Sequence, residues 1–290
     1  MRIKKTMFCM LLFILLLHPV VVVDAATNKK LDVHFIDVGQ GDSILIQTPN
    51  QKVILIDGGP PQAGKVVVQY LRKHGIDKID ALITTHPDID HIGGLPDVMQ
   101  NFKIKEVIDS GKVHTTKAYA NYINAIQKHQ IPIRIVRESD EIEIDPSIDI
   151  LVLNGYEQYK NNNQSSLVLK VIYDEVDFLF MSDVDHKQEK EMLKKYDMQA
   201  DIIKIAHHGS KTSSRLPFLQ EVNPYAAIIT YGRENDFGHP VRRVIDNLYN
   251  IQSLIYSTAV FGHITIHSNG KEFYIIPEKY PMENIMEDAS

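Results

Sequence analysis

Six consecutive residues, His86-Pro87-Asp88-Ile89-Asp90-His91, carry four side chains able to bind a divalent cation. Such an ion needs three or four nitrogen or oxygen donors at roughly 2.0–2.2 Å. Alternate positions on an extended turn project to one side. His86, Asp88 and Asp90 are therefore expected to face one centre, with His91 reaching a second ion. A solvated loop, or a helix start capped by aspartate, is the ordinary account of such a stretch. It sits badly with two histidines bracketing two aspartates just ahead of Gly93-Gly94.

Further polar clusters recur along the chain: Asp37 to Asp42, Asp57-Gly58-Gly59, Ser182-Asp183, His207-His208-Gly209 and Gly238-His239-Pro240. A buried strand end is an expensive place for two imidazoles without partners, so His207 and His208 are expected to serve a site. Ser210, Lys211, Thr212, Ser213 and Ser214 form a hydroxyl-rich turn able to hold a phosphate, or else a helix start at Ser213 or Ser214. Asp183 and Asp185 both precede a helical segment, and either could cap it.

Short apolar runs precede nearly all of these clusters. Strands are expected over Leu31 to Val38, Ser43 to Gln47, Lys52 to Ile56 and Ala81 to Thr85. The second half repeats the rhythm, with strands over Leu167 to Tyr173, Asp177 to Met181, Ile202 to Ala206 and Tyr225 to Tyr231. Two or three closing strands are expected between Leu254 and Ile276. Helical spacing marks Lys65 to His74, through Val67, Val68 and Leu71, and His186 to Tyr196. The alternation implies one α/β domain over about 30–280, followed by a tail, 281–290. In α/β folds the loops after strands hold functional groups rigidly, so the clusters are expected to converge.

The net charge of −6 over 290 residues gives no global basic face for nucleic acid, though it leaves a local groove open. Arg2, Lys4 and Lys5 precede an apolar run from Met7 to Leu17, and Val23 and Ala25 suit the small positions before a cleavage site. Residues 1–25 therefore read as a signal peptide of a secreted protein, or as a membrane anchor if left uncut. The single cysteine, Cys9, lies inside that leader. The mature chain then has no disulfide and no thiolate metal ligand, and no integral membrane domain is expected in it.

The loop resembles the H-x-H-x-D-H motif of the metallo-β-lactamase superfamily, with Asp88 where the second histidine stands. The substitution, Thr84-Thr85 and Ile92-Gly93-Gly94-Leu95 resemble the hydrolase domain of ComEC-type DNA-uptake (competence) proteins. So do Asp37-Val38-Gly39-Gln40-Gly41-Asp42-Ser43, Ile56-Asp57-Gly58-Gly59, Ser166-Leu167-Val168-Leu169, His207-His208-Gly209-Ser210 and Gly238-His239-Pro240. The resemblance implies a four-layer αββα sandwich holding two divalent ions, zinc or manganese. It implies His86, Asp88, Asp90, His91, Asp183 and His207 as ligands, with Asp183 bridging. His208 then stands behind the ligands or acts as an acid, and His239 is a ligand or the leaving-group acid. Asp37, Asp42 and Asp57 are expected to orient the metal loop, and Ser210, Lys211 and Ser213 to meet substrate. A histidine of the family pattern is missing before Leu167, where Asn161, Asn162 and Asn163 stand, and Asp88 shifts preference from zinc towards harder ions.

These features imply a phosphodiesterase or nuclease acting on extracellular DNA or nucleotides through water activated at the metals, with Asp90, His208 and His239 at the chemistry. A lactonase, thioesterase or β-lactam hydrolase is the alternative within enzymes. A non-catalytic DNA- or surface-binding module is the alternative outside them.

Overall fold

Alternation within the short strands sorts their side chains between separate apolar layers. Ile44, Ile46, Ile54 and Ile56 enter a central core, while Leu45 and Leu55 enter an outer one. In the second half Phe178, Phe180 and Ile202 face the same central core, and Leu179 and Ile203 point the opposite way. Strands buried on both faces in this manner belong to sheets covered on both sides. The computed structural model describes residues 29–156 and 161–280. The expected leader, 1–25, and the tail, 281–290, lie outside the described residues.

The first sheet has eight strands in the order Phe273–Pro277, Ile264–Ser268, Leu31–Phe35, Ile44–Gln47, Val53–Ile56, Ala81–Thr84, Val107–Asp109 and Ile133–Ile135. The second has six: Leu254–Ser257, Ala226–Ile229, Ile202–Lys204, Val176–Phe180, Val168–Tyr173 and Asp149–Asn154. Helices Gly64–Lys73, Leu95–Asn101 and Lys117–Lys128 cover the outer face of the first sheet through residues such as Val67, Leu71, Val98 and Tyr122. Helices His186–Met192, Leu216–Val222 and Arg242–Asn250 cover the second through Met192, Leu219 and Leu248. The layers run helix, sheet, sheet, helix, as expected. The closing segment divides: Leu254–Ser257 joins the second sheet, and the last two strands join the first.

Two parallel blocks matter for function. Val53–Ile56, Ala81–Thr84 and Val107–Asp109 run parallel in one sheet, and Val176–Phe180, Ile202–Lys204 and Ala226–Ile229 in the other. Their carboxyl ends lead into Asp57, His86, Asp183, His207-His208 and Thr230. Parallel strands bring these loops to one end of the sheets.

Away from that end, His34 sits on the outer face of the first sheet, 2 % exposed, within reach of the Tyr70 hydroxyl, Thr265 Oγ1 and Gln47 Oε1 at 3.0–3.1 Å. Burial, reinforced by His74, lowers its pKa to about 4. The folded protein therefore keeps His34 neutral, while the unfolded chain protonates it below about 6.5. Its contribution to stability is present above pH 6.5 and is lost as pH falls from there to about 4, on the order of 3 kcal/mol. Thermal melts at pH 7.5 and 4.5 are expected to show this acid loss in the wild type and a smaller one in His34→Gln. Equal losses in the two proteins would contradict it.

Candidate metal centre

Backbone contacts fix the metal loop first. Asp42 N donates to Asp90 O at 3.2 Å, and Gly58 N donates to His91 O at 2.7 Å. Gly41 is required by this packing, since a Cβ there would meet Asp90 O at 2.2 Å. The two glycine motifs of the first sheet thus hold the loop by its own carbonyls. On the other sheet, Gly209 lies under Pro240, where a Cβ would meet Pro240 Cβ at 2.5 Å. Val241 N donates to Gly209 O at 2.9 Å, which seats the His239 loop beside His207 and His208.

Hydrogen bonds then set the three buried imidazoles. His91 Nδ1 donates to Asp57 Oδ2 at 2.8 Å. His208 Nδ1 donates to the Thr230 carbonyl at 2.8 Å. His86 Nδ1 lies 3.1 Å from Thr85 Oγ1, whose own proton goes to Asp57 Oδ2 at 2.7 Å, so the hydroxyl accepts from the ring. In each ring the inner-facing Nε2 is thereby left as the free nitrogen, the arrangement that supporting groups impose on metal-binding histidines.

All three free nitrogens face Asp183. Its Oδ2 lies 3.9 Å from His86 Nε2, 3.4 Å from His91 Nε2 and 3.6 Å from His208 Nε2. His86 Nε2 is also 3.5 Å from Asp88 Oδ2, and His208 Nε2 is 3.3 Å from Asp90 Oδ2. Donors set around 2.1 Å from one ion stand about 3–3.5 Å apart, so these separations match a shared cation better than direct hydrogen bonds. Ligand atoms of Asp90, His91, Asp183 and His208 all lie within 4.8 Å of one another.

The polar bookkeeping agrees. His86 Nε2, His91 Nε2, His208 Nε2 and Asp183 Oδ1 are buried without a hydrogen-bond partner. Four such atoms in one spot would cost several kcal/mol unless a cation satisfies them.

The charges point the same way. Burial pushes the Asp183 carboxyl up, but His208, His91 and His207 outweigh it and hold it well below the usual range. Burial pushes His91 down, and the carboxylates of Asp183 and Asp57 override it and raise it well above its ordinary value. His208 is raised likewise by Asp183 and Asp42 against burial. Burial opposes ionisation of Asp90, yet the hydrogen bond to His208 and the charge of His91 hold it low. The pocket demands positive charge, which protons on imidazoles or a divalent cation can supply.

Residues 36–233 match the sequence model of the metallo-β-lactamase superfamily. The chain belongs to the metallo-β-lactamase superfamily. ComE operon protein 3 of Bacillus subtilis is 31 % identical over 83 % of this chain, and Recombination protein 2 of Haemophilus influenzae is 26 % identical over 89 %. Each match covers 32 % of the relative, so the chain spans about a third of their length. The metallo-β-lactamase fold protein YhfI of Bacillus subtilis superposes with a TM-score of 0.53 at 9 % identity, over 85 % of this chain and all of that one. It supports the fold alone. Competence protein ComA of Neisseria gonorrhoeae is 27 % identical over 76 % of this chain and 30 % of its own length, and the His/Asp cluster described above could hold a metal centre.

Several sequence expectations change against this metallo-β-lactamase site. The loop is not extended throughout: Ile89–Ile92 is a helical turn, and Asp90 therefore faces His208 while Asp88 faces His86. Asp88 stands at the start of that turn, but its side chain makes no cap hydrogen bond and instead accepts from Asn162 Nδ2 while its Oδ2 faces His86. The helix after Asp183 is capped by Asp185, which accepts from Lys187 N at 2.8 Å and leaves Asp183 to the site.

His207 and His208 both approach Asp183 and differ in burial. His207, expected as the ligand, is 24 % exposed with ring nitrogens 3.2–3.4 Å from Asn163 Nδ2, although its Nε2 also lies 3.7 Å from Asp183 Oδ2. His208 is buried with a free Nε2, so the geometry adds it to the candidate ligands, with His207 on the more open side of Asp183. Both residues adopt left-handed backbone, φ 50 and 53, and both rings bring Nε2 to within 3.7 Å of Asp183 Oδ2.

Asp37 does not orient the metal loop. Its Oδ1 accepts from Gly39 N at 3.2 Å within its own turn, and its amide meets His263. Asp42 and Asp57 do stand behind the site. The turn at Ser210, Lys211 and Ser213 is also differently used. Ser213 Oγ is buried and donates to Ala206 O, and the amides of Ser214 and Arg215 already donate to the Glu189 carboxylate. Arg243 donates to the carbonyls of Ser213 and Ser214. Glu189 thus takes the amides at the end of the turn, and Lys211 is the exposed member of that trio.

His239 lies beside the cluster, its ring 5.5 Å from that of His207 and 6.4 Å from that of His208. Burial and those two histidines lower its pKa to about 4. Its Nδ1 is buried without a hydrogen-bond partner, as are the free nitrogens of the cluster beside it.

Residues without an assigned role in the sequence complete the support. Ser182 Oγ donates to Thr85 Oγ1 at 2.8 Å, tying the two sheets together under His86. Lys204, fully buried, pairs with Asp42 Oδ2, and Thr230 Oγ1 donates to Asp42 Oδ1 at 2.5 Å. A lysine inside the apolar run Ile202-Ile203-Lys204-Ile205-Ala206 was the readable signal for this pair. Asn162 and Asn163, standing where the family pattern has a histidine, close over the loop: Asn162 Nδ2 donates to Asp88 Oδ1, and Asn163 reaches His207.

Proposed function

We propose that the chain is a secreted metal-dependent phosphodiesterase that cuts nucleic acid or nucleotides, exported through residues 1–25. The observation that carries this reading is the convergence of three free imidazole nitrogens and the carboxylates of Asp88, Asp90 and Asp183 on one buried point. His86 pairs with Asp88 and His208 with Asp90, and both pairs approach Asp183, so these residues would be the ones to hold bound cations. Bound cations there would supply Lewis acidity to a phosphoryl group and bring the pKa of water towards neutrality. Asp183, Asp90 and the three histidines hold this charge in place. Asp57, Thr85 and Ser182 keep the rings oriented. Relatives named for competence and recombination support DNA as the substrate class.

The test is an activity screen of chelator-stripped protein reloaded with zinc or manganese. Plasmid, single-stranded DNA, bis-p-nitrophenyl phosphate and a chromogenic β-lactam serve as substrates, with Asp90→Asn as control. Diester cleavage that Asp90→Asn abolishes, without β-lactam turnover, is expected. Hydrolysis of the lactam with no diester cleavage would reverse the substrate class. N-terminal sequencing of protein from culture medium tests export.

A second expectation concerns the ion. Three carboxylates and three imidazoles make a harder donor set than an all-imidazole pocket, so manganese should activate at least as well as zinc. Asp88→His should move relative affinity, measured by competition between the two metals, towards zinc. Unchanged selectivity would mean that Asp88 does not touch the ion.

A further inference from the structure

The loop between Ala226–Ile229 and Arg242–Asn250 presents Phe237 to solvent, 67 % exposed. An exposed phenylalanine on a surface needs no special account, but this one is distinguished in two ways. Its ring stacks on His239, with centroids 5.7 Å apart and planes 23° from parallel. His239 in turn lies against His207 and His208, so a series of rings leads from solvent to the candidate metal centre.

The loop is also clamped. Asn235 Nδ2 donates to the carbonyls of Gly232 and His239 at 2.7 and 2.8 Å, and its Oδ1 accepts from the amides of Phe237 and His239 at 3.1 and 3.0 Å. Four hydrogen bonds from one side chain fix the backbone on either side of Phe237. The ring is thus held with one face on His239 and much of its surface open. The metal loop adds a second exposed apolar side chain at the site, Ile89, 55 % exposed between Asp88 and Asp90.

A rigid aromatic face beside a phosphodiester site binds a flat aromatic group carried by the substrate. Every nucleobase has such a face, and stacking tolerates any sequence. We infer that Phe237 is the stacking platform for a nucleobase adjoining the scissile phosphate, and that it makes the site select single-stranded nucleic acid over diesters lacking a base. This rests on the phosphodiesterase reading above. Phe237 meets the site only through the His239 ring, whose backbone Asn235 holds independently, so it acts on substrate binding rather than on the chemical step.

The experiment uses the purified protein with a short single-stranded deoxyoligonucleotide carrying 2-aminopurine, whose fluorescence is quenched on stacking, and a matched strand with an abasic site at that position. Binding is read by quenching and anisotropy, cleavage by KM and kcat. Phe237→Ala is expected to weaken binding of the base-containing strand about 5- to 100-fold, to abolish the quench and to raise KM with kcat nearly unchanged. Phe237→Trp should retain both, and the abasic strand should bind the wild type and Phe237→Ala alike. Equal loss on the two strands, or full quenching in Phe237→Ala, would overturn the platform. A wild type that binds no oligonucleotide overturns it too, even if it cleaves bis-p-nitrophenyl phosphate. Phe237-dependent binding with no cleavage of any diester would instead sustain the platform and remove the phosphodiesterase reading.

Discussion

Replacing Asp183 by Asn is expected to lower turnover by at least about 10³-fold, beyond the roughly 10- to 100-fold that loss of a supporting residue costs. The side chain keeps its shape and loses only its charge. That charge is what four imidazoles surround: the Nε2 atoms of His86, His91, His207 and His208 lie 3.4–3.9 Å from Asp183 Oδ2. Asp183 is also the group that the His86–Asp88 and Asp90–His208 pairs both approach. Without its carboxylate, a bound cation loses an anionic neighbour, and His91 loses the main charge that raises it. Metal analysis of the purified variant should show depleted content. Chelator should lower the melting temperature of the wild type and leave that of Asp183→Asn nearly unchanged. A variant that keeps its metal and most of its activity would show that the convergence on Asp183 is only packing.

The second large effect lies one layer deeper and is read in stability. Lys204→Met is expected to cost about 3–5 kcal/mol, because breaking a buried ion pair strands the remaining charge. Lys204 and Asp42 are 1 % and 2 % exposed. Burial pushes the Asp42 carboxyl up, but the Lys204 ammonium, with His208 and His91, outweighs it and holds it below its ordinary value. A depressed carboxyl stabilises the fold above its unfolded pKa, and that contribution is lost as pH falls through the folded one. In Lys204→Met the pull is gone and Asp42 is left to take a proton or face a buried deficit. Adding Asp42→Asn should then recover part of the loss, since a neutral amide can still meet Thr230. Urea denaturation of the single and double variants measures both effects. A single variant as stable as the wild type would mean the pair is not buried in solution.

Much of the site was legible because its chemistry is local. His86, Asp88, Asp90 and His91 are neighbours in sequence, and the clusters at Asp57, Asp183 and His207-His208 each follow an apolar strand. The alternation of strands and helices, together with the clusters at strand ends, carried the expectation that they converge. The physical reason is that parallel strands expose their carboxyl ends at one edge, so strand position alone brings residues far apart in sequence together. The four-layer arrangement came from the family resemblance, and wholly apolar strands such as Val53–Ile56 fit it, since they are buried on both faces.

What only the tertiary structure decided are choices between neighbours and pairings at long range. His207 and His208 differ by one position on the same strand end. Both rings reach Asp183 from left-handed backbone, one buried and the other 24 % exposed, and no residue type encodes that difference. Asp42 meets Lys204 and Thr230 across 162 and 188 residues of chain, and Ser182 meets Thr85 across 97, through contact between the two sheets. The hydroxyl-rich turn at Ser210–Ser214 has the composition of an anion site, yet its last amide, with that of Arg215, already donates to Glu189 from a separate helix. Composition tells which groups a segment offers. Which of those groups are already satisfied depends on what the fold brings against them, and for His208, Asp183 and Glu189 that partner lies on another strand or helix.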